Sequence, residues 1–169
     1  RTILLTFSFL WFNYLSSKLG EDFIAINAIL LQFIIFASFI LDAYAFSTEA
    51  VVGYAIGRKE KRIFLKTVSN SVQLSLVTGL VISAIYIIFS KSMINVLTSL
   101  EFLKFLSYEF IVWIVIIPPI ASLCYQFDGI FIGASQTGEM RNAMIISFLL
   151  FIISSNLLVI NFGNHGLWL

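Results

Sequence analysis

From Phe23 to Gly57 the chain carries only two charged side chains, Asp42 and Glu49, among Ile, Leu, Phe and Ala. A run of this kind exceeds the roughly 20 apolar residues that cross a bilayer as a helix. It constrains the fold more than any other feature, and it is not alone. Further apolar stretches cover residues 2–17, 67–90, 105–134 and 143–160, and another begins at 166. Only helices and closed barrels satisfy their backbone within lipid. Continuous apolarity, without alternation, argues for helices over barrel strands.

Composition agrees. Of 169 residues, 60% are hydrophobic and 11% charged, against about 25% charged in soluble domains. An ordinary water-soluble globule is excluded, and so is disorder, given 18 Phe and 3 Trp. A net charge of +1 supplies no field to attract nucleic acid. One cysteine, Cys124, allows neither an internal disulfide nor a zinc cluster. The expected fold is an all-α polytopic membrane bundle, one unit over residues 1–169, with five complete spans and the start of a sixth. The chain begins at Arg1 and stops in the apolar Gly166-Leu167-Trp168-Leu169, so it reads as part of a longer polypeptide.

Basic residues set orientation. Arg1, Arg58, Lys59, Lys61, Arg62, Lys66 and Arg141 fall on one side, whereas Lys18, Lys91 and Lys104 fall on the other. The first side, including the basic loop 58–66, is expected to be cytoplasmic.

Acids inside apolar spans are the strongest functional signal. A charge near a helix centre costs about 2.5–3.5 kcal/mol on insertion scales, so such residues normally face a protein interior or a wet cavity. Asp42, Glu49 and Asp128 qualify. Asp42 and Glu49 share a helix face. Glu49 lies roughly 13 Å from Arg58 and Asp128 roughly 15 Å from Gly138 along their helices, which predicts similar depth. Carboxylates there can load and release a proton, bind Na⁺, or hold a cationic substrate. Alternatively they hydrogen-bond to neighbouring helices, with Gln32, Gln73, Tyr125, Gln126 and Asn156 as partners. Tyr125, Gln126 and Gln32 are also candidates to line a cavity.

Pro118-Pro119 removes two backbone donors in mid-span. It should kink or break the fourth span, and the freed carbonyls either face a cavity or serve packing. Gly53 to Gly57 and Gly129 to Gly133 are both GxxxG patterns that allow close helix approach. His165 reads as a turn or capping residue. Sequence patterns of hydrolases, zinc proteases and nucleotide-binding loops are missing, so we expect no enzyme.

The segment Cys124-Tyr125-Gln126-Phe127-Asp128-Gly129-Ile130-Phe131-Ile132-Gly133-Ala134 with Gly138-Glu139-Met140-Arg141-Asn142 resembles the multidrug and toxic compound extrusion (MATE) family, in its DinF-like (DNA-damage-inducible protein F) branch. Three further stretches agree, in order: Leu41 to Phe46 with Glu49-Ala50, Asn95 to Leu100, and Gly163 to Trp168. Gln136 departs from the basic residue expected after the Asp128 helix. The resemblance implies the C-terminal lobe of a two-lobe, twelve-helix transporter, whose N-terminal lobe lies outside this chain. It implies a multi-pass protein of the inner or plasma membrane that exports organic, often cationic, compounds by alternating access. Inward H⁺ or Na⁺ drives that export, with no organic cofactor and no metal site beyond Na⁺ at Asp128. Asp128 falls where an acid lines the cavity of related transporters; the carry-over to Glu49 and Asp42 is looser. A lipid-linked oligosaccharide flippase and a non-transporting membrane scaffold are the alternatives. The flippase reading predicts cationic residues within the spans.

Overall fold

The computed structural model describes residues 2–169 and is helical throughout, with no strand among the described residues. Seven helices follow in order: α1 (Thr2–Leu19), α2 (Glu21–Gly57), α3 (Lys61–Leu97), α4 (Glu101–Glu109), α5 (Ile111–Gly133), α6 (Thr137–Phe162) and α7 (Asn164–Trp168). The chain is therefore an all-α polytopic bundle.

Four helices, α2, α3, α5 and α6, are long and apolar enough to cross a membrane. Five complete spans were expected, and α1 does not meet the same standard. Six of its residues are Thr, Ser or Asn, between Thr2 and Ser17, and they lower its mean hydropathy. Most of these polar groups are satisfied within the helix itself: Thr6, Ser8 and Ser16 hydroxyls and the Asn13 amide each donate to the carbonyl four residues back. By contrast α2 and α3, of 37 residues each, rise about 55 Å. They exceed the hydrocarbon thickness and carry the predicted span 67–90 well past both its ends.

The expected span 105–134 is divided. Glu101, Lys104 and Glu109 make residues 101–109 amphipathic, and they form the separate short helix α4. The chain turns at Phe110, whose amide bonds to the Ser107 carbonyl at 3.1 Å, before α5 begins.

Three helices form the body. α2 and α5 run parallel, because Gly129 faces Ala45 and, one turn on, Gly133 faces Glu49. A β-carbon on Gly129 would overlap the Ala45 carbonyl oxygen, so the backbones meet without side chains between them. The other glycine pattern is not used as a pair. A β-carbon on Gly53 would lie 3.4 Å from the Gly133 oxygen, whereas one on Gly57 would meet nothing within 4 Å.

α3 runs antiparallel to α5. A β-carbon on Gly79 would lie 3.0 Å from the Pro118 oxygen and the Pro119 Cα. The prolines do not break α5, which continues from Ile111 to Gly133. Pro119 cannot donate to the Val115 carbonyl. The Ser83 hydroxyl of α3 donates to that oxygen at 2.6 Å in its place. The freed Val115 carbonyl therefore faces the α3 interface, the packing alternative of the two. Leu30, Phe33, Leu41, Ile82, Tyr86 and Ile114 fill the space between the three helices, and the Tyr86 hydroxyl donates to the Phe33 carbonyl at 2.7 Å.

Candidate functional site

α1 and α6 flank this body and leave a groove against α5 of about 630 Å³. The register of α5 explains which side chains reach it. Gly129 and Gly133 turn to α2, so Cys124 and Asp128, one turn apart and rotated away from the glycines, turn to the groove. Met140, Met144 and Phe148 of α6 form the opposite wall, and Leu4 and Ser8 of α1 close one side. Among the described residues Asp128 is the one acid on this wall, half-buried, with Tyr125 beside it. An otherwise apolar groove with a single carboxylate suits a cation, whether an inorganic ion or an organic cargo. No described residue on the wall is basic.

The other predicted residues lie elsewhere. Glu49 is half-buried and borders a separate depression of about 400 Å³ with Phe46, Gly53, Tyr54 and Gly133. Asp42 is half-buried on α2. Neither makes a side-chain hydrogen bond or ion pair with another described residue. Glu49 and Asp128, expected at similar depth, are offset along their helices. Ala45 stands level with Gly129, so Asp128 falls between the levels of Asp42 and Glu49, each offset by roughly 3–8 Å of helical rise. The cause is the register: Gly133, the last residue of α5, faces Glu49, so α2 runs about two turns, roughly 12 Å, past that level.

Gln126 is not a groove residue. It is fully buried between α2 and α5, where its Oε1 accepts from the Thr48 hydroxyl at 2.8 Å. Its Nε2 has no hydrogen-bond partner among the described residues. Gln32 lines a different, apolar recess of about 390 Å³ with Phe33, Phe36 and Met93. Asn156 donates within its own helix, to the Ile152 carbonyl at 2.8 Å, and Gln73 is exposed.

Sequence reasoning missed the polar knot at the other end. Asn27, with no exposed surface, donates to Ser16 Oγ at 2.8 Å and to Asn164 Oδ1 at 2.7 Å. Its own Oδ1 accepts from Trp168 Nε1 at 2.8 Å and from Asn164 Nδ2 at 3.1 Å. One side chain thus ties α1, α2 and α7 together. The signal was available: Asn27 is an amide within an apolar run, the type of residue that bonds across membrane helices. His165, read as a turn residue, accepts from Trp113 Nε1 at 3.0 Å and stacks on Phe110 at 4.5 Å.

A family model, MatE, matches residues 1–158. The chain belongs to the MatE family. It is 35% identical over its whole length to DNA damage-inducible protein F of Escherichia coli (strain K12), covering 37% of that protein. It is 26% identical over 168 residues to Protein DETOXIFICATION 42 of Arabidopsis thaliana, covering 33% of it. The chain therefore spans about a third of the length of these MatE relatives. No solved structure matches it.

Proposed function

We propose that this MatE chain is the C-terminal lobe of a secondary active antiporter in the plasma membrane, which exports organic, often cationic, compounds in exchange for H⁺ or Na⁺. The observation that carries the reading is Asp128, the single described acid on the wall of the apolar groove between α1, α5 and α6. An aromatic and thioether lining, Phe148, Met140 and Met144, adapts to apolar bodies of varied shape, while the carboxylate holds either the coupling cation or the positive charge of cargo. Competition of the two for one carboxylate is a sufficient basis for exchange. The name of the plant relative, DETOXIFICATION, points to the same class of cargo. A wall with an acid and no described base argues against phosphate-bearing lipids as cargo. The basic loop 58–66 then faces the cytoplasm, and Glu49 and Asp42 act as secondary acids on α2.

The test is cation-driven efflux by the full-length protein in proteoliposomes, with Asp128→Asn beside the native protein. Loss of exchange with retained folding is expected, and unchanged exchange would remove Asp128 from the mechanism. Imposing a pH gradient and a Na⁺ gradient separately identifies the coupling ion.

A further inference from the structure

The turn between α2 and α3 closes on itself. Lys59 N bonds to the Ile56 carbonyl and Glu60 N to the Ala55 carbonyl, both at 2.9 Å. Lys59 has a φ of 57°, the left-handed region that residues with a β-carbon seldom adopt. Glu60 is the one acid from Arg58 to Lys66, and Arg58 occupies it, with Nε 2.9 Å from Oε1. The same guanidinium donates to the Tyr54 hydroxyl and lies over its ring. Lys59, Lys61, Arg62 and Lys66 are left with no acidic partner among the described residues.

Lys59 and Lys61 stand beside a depression of about 340 Å³, which is also lined by Ala55, Ile56, Phe64 and Glu60, the last already paired with Arg58. The turn joins two helices long and apolar enough to cross a membrane, so it lies beyond the hydrocarbon, on the headgroup side. A basic loop of this kind ordinarily sets topology alone. Topology needs only charge, however, and has no use for an apolar hollow beneath two lysines.

We propose that the α2–α3 turn is a binding site for an anionic phospholipid: Lys59 and Lys61 hold the headgroup phosphate, and Ile56 and Phe64 cover the first methylenes of an acyl chain. Charge complementarity selects an anionic lipid over a zwitterionic one, whose own cation competes with the lysines. The apolar floor selects a lipid over a soluble phosphate.

The experiment measures lipid retained by the purified full-length protein, by native mass spectrometry, together with its melting midpoint. The probes are phosphatidylglycerol, phosphatidylcholine and inorganic phosphate. Phosphatidylglycerol is expected to be retained and to raise the midpoint, with little effect of the other two. Lys59→Gln with Lys61→Gln should weaken retention about 25-fold, at about fivefold for each cation near the surface. Arg62→Gln with Lys66→Gln removes equal charge outside the depression and should cost at least fivefold less than the first pair. Equal losses for both pairs would reduce the effect to diffuse charge and overturn the site. Equal retention of the two lipids, which requires no variant, would overturn it as well, and a response to phosphate equal to that to phosphatidylglycerol would replace the lipid with a free anion.

Discussion

The body α2–α3–α5 and the flanking pair α1–α6 are both made of apolar helices, yet they are held by different means. In the body, backbones touch: Gly129 and Gly133 press on α2, and Gly79 lies under the two prolines. In the flank, α6 buries only Met140 and Ser155, and α1 buries residues only from Phe12 onward. The flank is secured at the Asn27 end and open at the Asp128 end. In lipid, where apolar surface gains little from leaving its surroundings, close packing and polar bonds decide which helices adhere. The body is thus the scaffold, and under the proposed function the flank is the part that accommodates cargo.

Substitutions can break that contrast. Gly129→Val should have the largest effect, about 3 kcal/mol or more of destabilisation, because the Ala45 backbone must move. Denaturant unfolding in detergent measures it, with Gly57→Ala as the silent counterpart. Asn27→Leu comes next, at about 2 kcal/mol, since Asn164 and the Trp168 indole lose a buried partner. Its signature is early hydrogen exchange in α7 while the body stays protected. Ser83→Ala should cost about 1 kcal/mol, read as a lower melting midpoint. Asp128→Asn closes the series, with a stability change within about 0.5 kcal/mol and a loss of exchange. A large loss of stability in Asp128→Asn would place this acid in the scaffold and undo the contrast.

Much of the scaffold was legible because each cue was local. Apolar runs gave helices, Gly129 and Gly133 gave a close approach, and three acids stood out against lipid. What was not legible depends on helix phase. Gly53 and Gly57 carry the same pattern as Gly129 and Gly133, but only the tertiary register shows that Gly57 passes beyond its neighbour. Asp128 and Gln126 are two residues apart, and nothing local indicates that one turns to the groove and the other to α2. The prolines misled for a similar reason. Their effect is set by the helix beside them, because a membrane helix tolerates proline wherever a neighbour takes over the freed carbonyl.

That last contact makes two distant positions a single energetic unit. Val115 needs one donor, and either residue 119 or residue 83 can supply it. Pro119→Ala restores a backbone N–H to the carbonyl and should make Ser83→Ala nearly neutral, a coupling of about 1 kcal/mol in a double-mutant cycle. Proline at 119 and the hydroxyl at 83 therefore act together, and a change at either alters the cost of a change at the other.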